Sequence, residues 1–403
     1  MTHAKSQTLP LESGKKNGSL GIFTKTHVNH MPQGLQRVHD FILQDQSAKL
    51  LPIERVGNCL KKRISKDKNR TVMLNEKRLK MHYGNVQRCG SIWICPVCAK
   101  KITETRRVEL QKGLSIWRSQ GNFAYLMSLT FSHTSAQPLL FLFEGQKKAL
   151  KIFYETTKVQ DIFKSLGVQF KIKSLEVTYG QNGWHPHNHI LLLSTKYLGI
   201  TAFSDAEKEL SELWIKACLK SGLNAPSMKY GLDLRDGSYA EKYISKWGLE
   251  QEMTKGHVKK GRNGGFTPFD LLQLSISETQ IYGKETVKLW QEFGVASKRK
   301  RLLEWGKGLK KYLGLDEKTD EEIADETDKE SIQVYEIPSL LFHLLTKFQK
   351  RHIFLECMES DWADGSFGSG SVETLIIELI ELEEAELDQF DDVYYSKILR
   401  IMA

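Results

Sequence analysis

The stretch VQFKIKSLEVTYGQNGWHPHNHILLLS, residues 168–194, decides the fold. Its first half alternates apolar and polar residues with the period of two expected of a half-buried strand, and its second half ends in the apolar run Ile190-Leu191-Leu192-Leu193. Asn182-Gly183 between them is a favoured two-residue hairpin turn. That turn sets Glu176 opposite His189, whereas a four-residue loop sets Glu176 opposite His187. Either even-numbered loop puts Glu176, His187 and His189 on one face, because side chains alternate along a strand; a bulge would reverse this. His185 has the same parity and is a possible further ligand. Two imidazoles and a carboxylate on one face suit a divalent ion with open positions, Mn²⁺ or Mg²⁺ for phosphodiester chemistry before Zn²⁺.

Outward from the hairpin, AYLMSLTFSH (124–133) reads as a buried strand and LLFLFEGQKKALKIFYETTKVQDIF (139–163) as a helix. Ser204 to Leu219 has a capping sequence and helical spacing, MKYGLDLRD (228–236) reads as a strand, and SYAEKYISKW (238–247) as a helix. The order βαββαβα implies an α+β fold: a four- to five-stranded, largely antiparallel sheet with helices on one face, occupying residues 119–250.

Residues 1–40 are polar and read as a tail. Residues 41–118 form a basic, Cys-rich segment closed by an amphipathic helix from Lys100 to Trp117. Cys95-Pro96-Val97-Cys98 is a Cys-x2-Cys knuckle that Cys59 and Cys89 complete to four thiolates for structural Zn²⁺, with His82 as a competing ligand. Cys218 and Cys357 read as structural. A basic extension follows at 251–315, then an acidic helical region at 316–403. In the latter, 316–330 reads as an exposed linker, 361–371 as a flexible joint, and Val372 to Leu387 as a solvated amphipathic helix.

Charge is unevenly distributed. Residues 1–315 hold 51 basic and 26 acidic side chains, residues 316–403 only 7 basic against 23 acidic. A cationic body of this kind favours nucleic acid as partner, with Lys298, Arg299, Lys300 and Arg301 and the pairs Lys259-Lys260 and Lys246 with Arg262 as phosphate contacts. The chain carries no run apolar and long enough to span a membrane and no cleavable leader pattern, so the expectation is a cytoplasmic protein with no membrane partner and reduced cysteines. Oligomeric state is not encoded legibly.

On the 238–247 helix Tyr239 and Tyr243 stand four residues apart, with Lys242 and Lys246 on the same side. Beside a metal site this offers a phenol nucleophile, a neighbouring ammonium and a phosphotyrosine ester as product. Taken together, Leu129-Thr130-Phe131-Ser132-His133, the His187-Asn188-His189 pair with its apolar run, and Tyr239 to Lys246 resemble the three motifs of the HUH endonucleases. The likeness is to rolling-circle replication initiators of bacterial plasmids and single-stranded DNA phages, over about residues 85–315. Asn188 departs from the family's usual apolar residue. Tyr239 stands where some plasmid relatives carry Glu, as in the two-tyrosine phage pattern.

The resemblance implies an HUH nicking domain that cleaves single-stranded or hairpin DNA at a plasmid origin. Tyr243 is the expected nucleophile, Tyr239 a second acceptor, and Lys242 a charge partner. The product carries a 3′-hydroxyl primer, and a host helicase and DNA polymerase continue from it. A Cys-rich segment before the first motif is also common among such initiators. A transposase or relaxase would share the chemistry. A histidine-triad nucleotide hydrolase would leave the tyrosines unexplained, and a non-catalytic zinc-dependent DNA-binding regulator would not need them.

Overall fold

The computed structural model describes residues 33–236, 265–326, 331–366 and 370–387. In chain order the elements are α1 (Gln33–Leu50), β1 (Arg70–Asn75), β2 (Lys80–Gly84), α2 (Pro96–Ser119), β3 (Phe123–Leu129), α3 (Leu139–Glu155), α4 (Thr157–Ser165), β4 (Val168–Gly180), β5 (Gly183–Ser194), α5 (Ile200–Lys220) and β6 (Leu232–Asp236). There follow α6 (Pro268–Ser275), β7 (Gln280–Ile281), β8 (Lys284–Glu285), α7 (Thr286–Ala296), β9 (Leu303–Trp305), α8 (Leu309–Tyr312), α9 (Asp320–Asp325), β10 (Ser331–Ile337), α10 (Ser339–Lys347), α11 (Arg351–Asp364) and α12 (Ser371–Leu387).

The protein is α+β. Its larger sheet has five antiparallel strands in the order β6-β3-β5-β4-β9, so the 168–194 hairpin forms its middle. The hairpin register sets Glu176 opposite His187 and Tyr179 opposite Trp184, as the longer loop would, but pairing runs on to Gly180 and Gly183, so the turn itself is Gln181-Asn182. Asn182-Gly183 is therefore not the central pair of the turn. A type I′ turn needs positive φ at both central residues, and here only Gly183 has it, at +86°. A Cβ on Gly183 would stand 2.8 Å from Ser135 Cα, which reserves the position for glycine.

Helices cover both faces of this sheet, not one. Tyr125, Met127, Ile190 and Leu192 belong to the core that α3, α4 and α5 close, through Phe153, Phe163 and Trp214 among others. On the opposite face Leu110, Leu114 and Trp117 of α2, with Leu309 and Leu313, close over Ala124, Leu126, Ile172, Leu191 and Leu193. The unbroken apolar run of β5 is the cause, since both parities then need cover; truncating one such core leucine to alanine costs about 2–5 kcal/mol. The single helix expected over 139–163 is split at Thr156, whose extended backbone ends α3 and starts α4.

The N- and C-terminal parts form one unit. Helix α1 starts at Gln33, inside the segment read as a tail. Strand β10 pairs with β1 in the sheet β10-β1-β2, and α10 to α12 share a core with β1, β2 and α1. Arg351 is buried and donates to Asp45 (2.6 Å) and Gln44 (3.2 Å), while Tyr83 donates to the carbonyl of Arg351. The acidic stretch after Asp316 is no exposed linker: α9 buries Ile323 and Ala324. Nor is the Asp361 region a free joint, since its carboxylate accepts from the backbone N–H of Ser371 and Val372 and so caps α12. Helix α12, expected to be solvated, seats Val372, Leu375 and Leu379 in the core.

Candidate metal centres and basic edge

Strand pairing builds the first cluster. On β5 His185, His187 and His189 share a face, and their rings form a ladder with centroids 5.0 Å apart at each step. Glu176 meets them from β4: its Oε2 lies 3.4 Å from His187 Nε2 and 3.2 Å from His189 Nε2. The three ligand atoms fall within 4.8 Å of one another, close enough to hold one ion. Ser128 of β3, directly opposite His189, has its Oγ 2.9 Å from His189 Nδ1. A proton on Nδ1 donated to that hydroxyl leaves the Nε2 lone pair aimed at the cluster, the arrangement that orients metal-binding histidines. A mixed nitrogen–oxygen set of this kind fits a divalent ion of the Mn²⁺ class.

His185 is not in the cluster. Its Nδ1 lies 2.7 Å from Nε2 of His133, whose Nδ1 donates to the carbonyl of Asn182 at 2.9 Å. Because that carbonyl can only accept, the proton order along the chain is set: His133 accepts at Nε2 from His185 Nδ1–H. Burial, with His187 and His133 alongside, pushes His185 down to about 3, and burial lowers His133 as well, so both are neutral at pH 7. Ser128 and His133 were not singled out as partners from the sequence. Once β3 is placed beside β5, the one serine in an otherwise apolar and aromatic strand is the signal for the first; the second needed the loop after β3.

Asn188, on the other face, is 2% exposed among apolar neighbours, and its amide nitrogen has no hydrogen-bond partner among the described residues. The position is built for an apolar side chain.

The second cluster is all sulfur. Cys59, Cys89, Cys95 and Cys98 converge, with Cys59–Cys98 at 3.5 Å and Cys89–Cys98 and Cys95–Cys59 at 3.7 Å. A tetrahedral ion with metal–sulfur bonds of about 2.3 Å requires sulfurs about 3.8 Å apart, so the set fits Zn²⁺. Cys95 caps α2, Pro96 begins it, and Cys98 sits in its first turn. The other three thiols and the Gly90 N–H all hydrogen-bond to Cys98, drawing it well below the ordinary thiol range. Gly90, at φ +62°, lets α9 approach: a Cβ there would meet the Glu321 backbone at 2.9 Å. His82 lies on β2 opposite Met73, and the group closes without it. Cys218 is buried in α5, where burial pushes its thiol up to about 12.

The basic turn before β9 divides. Lys298 pairs with Glu54 at 2.9 Å, and Lys300 with Glu144 at 3.6 Å while standing over the Phe143 ring. Arg299 and Arg301 are exposed or nearly so, without a side-chain partner among the described residues. Tyr239, Lys242, Tyr243, Lys246, Lys259, Lys260 and Arg262 lie outside the described residues.

The fold and the two clusters define an α+β protein with a histidine–carboxylate centre on a central hairpin and a four-cysteine centre beside it. Among known proteins the chain is similar to the protein named "Protein rep" of Streptomyces lividans, 26% identical over 294 residues, which are 57% of this chain and 64% of that protein. It is also similar to the "Neomycin resistance protein" of Streptomyces cyanogenus, 28% identical over 131 residues, covering 26% of this chain and 30% of the relative. The chain thus spans less than two thirds of either relative. No family model matches, and no solved structure does. No helix among the described residues is long and apolar enough to cross a membrane.

Proposed function

We propose that the protein initiates plasmid rolling-circle replication as an HUH-type nicking and joining enzyme for single-stranded or hairpin DNA. The observation that carries this reading is the convergence of Glu176, His187 and His189 on one face of the hairpin, with the Ser128 hydroxyl in hydrogen-bond contact with His189 Nδ1. The similarity to the Streptomyces lividans Rep protein supports replication as the setting. The cationic balance of residues 1–315 supports a DNA partner.

In this reading Glu176, His187 and His189 hold Mn²⁺ or Mg²⁺, which when bound polarises the scissile phosphate. Tyr243 attacks the phosphorus in line. The tyrosyl O–P bond forms as the P–O3′ bond breaks, the phenol giving up one proton and the leaving 3′-oxygen taking one up. Lys242 offsets the charge that develops on the phosphate, and Tyr239 accepts the strand in a second transfer. The ester retains the energy for rejoining, and a host helicase and polymerase extend from the 3′-hydroxyl. The four cysteines hold structural Zn²⁺. Cytoplasmic plasmid DNA is the setting this requires.

The test is incubation with labelled single-stranded oligonucleotides and Mn²⁺ followed by a denaturing gel. A protein–DNA band that survives denaturation and disappears in Tyr243→Phe combined with Tyr239→Phe is the expected result. DNA binding without any such band in the unaltered protein would leave a zinc-dependent regulator as the function.

A further inference from the structure

We infer that Arg301 binds a non-bridging oxygen of the phosphate positioned at the Glu176–His187–His189 cluster; the inference rests on the nicking reading and adds a residue to it. The register of the sheet edge supplies the argument. β9 pairs with β4 from Ile172–Trp305 to Ser174–Leu303, and the Leu175 N–H donates to the Leu302 carbonyl at 2.9 Å, extending the pairing by one residue. The next step along two antiparallel chains sets Arg301 across from Glu176, and such cross-strand neighbours have Cβ atoms about 5 Å apart.

Alternation fixes the side. Leu302 is buried in the core that holds Leu175 and Val177, and Leu303 packs on the opposite core with Leu191 and Leu193. Arg301, one residue before Leu302, therefore shares the face of Glu176, His187 and His189. Its side chain is exposed and has no partner among the described residues, whereas Lys298 and Lys300 are already engaged by Glu54 and Glu144. The other free cation of the turn, Arg299, sits at φ +62°, off the strand.

The position is held from behind. Trp93, in the loop between Cys89 and Cys95, donates its indole N–H to the Lys300 carbonyl at 2.7 Å and packs edge-on against Phe293. An arginine on a fixed backbone beside a metal-binding carboxylate presents a planar pair of donors to a phosphate oxygen, and it does so best as negative charge accumulates in the transition state.

Arg301→Ala and Arg301→Lys are compared with the unaltered protein using an oligonucleotide that carries the nick site. The inference expects Arg301→Ala to slow single-turnover cleavage at saturating DNA about 100-fold. Arg301→Lys recovers part of the loss. A binding readout without metal accompanies it: methylphosphonate is placed at each phosphate in turn. Neutralising the scissile phosphate weakens the unaltered protein several-fold but leaves Arg301→Ala unaffected, while neutralising any other phosphate weakens both alike. Equal sensitivity of Arg301→Ala at every phosphate, or an insensitive phosphate away from the nick, would overturn the inference and leave nicking intact. Strand binding with no cleavage by the unaltered protein would overturn nicking instead.

Discussion

The two clusters are built in opposite ways. Glu176, His187 and His189 come from a single hairpin, fourteen residues from first to last, and strand pairing alone sets them face to face. The four cysteines come from three segments: the turn ending at Cys59, the loop after β2, and the start of α2. The sheet beside them is completed only by β10, more than two hundred residues later. The histidine centre thus follows from strand register alone. The cysteine centre instead gathers four buried thiols from segments far apart in the chain, an arrangement that a bound ion would tie together.

The largest expected effect follows from that difference. Zinc chelation, or Cys98→Ser, removes a tie worth several kcal/mol to the unit formed by α1, β1, β2, β10 and α2. The melting temperature should fall by about 10–20 °C, read by differential scanning calorimetry. His187→Ala, by contrast, should leave the melting temperature within about 3 °C while abolishing Mn²⁺ binding measured by electron paramagnetic resonance. Equal thermal losses in the two variants would show that both ions are structural and erase the distinction.

This contrast also marks what was legible in the sequence. The hairpin residues could be assigned to one face because period-two alternation is local, and any even loop gives the same answer. Which even loop was used depended on the backbone at Asn182, which does not enter the left-handed region that Asn-Gly turns favour. The four cysteines could be grouped because only six occur and two form a knuckle. The second helical layer was signalled by the apolar run of β5 yet not drawn from it. The docking of the acidic C-terminal region had no local signal at all: Arg351, Asp45 and Tyr83 are scattered, and their pairing is a property of the assembled core.

A smaller effect sharpens the comparison on the side of the cysteine unit. His352, on α11, packs against Phe41, and burial, reinforced by the charge of Arg351, lowers it to about 4. An unfolded histidine titrates near 6.5, so between about pH 6.5 and 4 the unfolded chain binds more protons than the folded one. Stability is full above that window and falls as the pH falls through it. His352→Phe should flatten this slope, by on the order of 2 kcal/mol between pH 7 and 4.5 in urea unfolding followed by circular dichroism. A slope unchanged by the substitution would place the acid sensitivity elsewhere, for example at the His133–His185 pair next to the other cluster, which shifts in the same direction.

The smallest effect belongs to the hairpin, and its sign is the opposite. Asn188 stands between two histidines of the cluster but faces away from them, opposite Leu175 on β4 and Leu129 on β3. Its buried amide nitrogen has no partner among the described residues, and a buried unsatisfied donor costs about 1–3 kcal/mol. Asn188→Leu keeps the branching of the side-chain heavy atoms, at a larger volume, and supplies the apolar group that this face of β5 carries at Ile190 and Leu192. The variant should be more stable by about 1 kcal/mol in urea unfolding, with Mn²⁺ affinity unchanged, because alternation insulates one face of a strand from the other. Stabilisation bought with a loss of Mn²⁺ affinity would mean that the asparagine adjusts the strand for its two neighbours, and that the histidine centre, like the cysteine one, depends on more than pairing register.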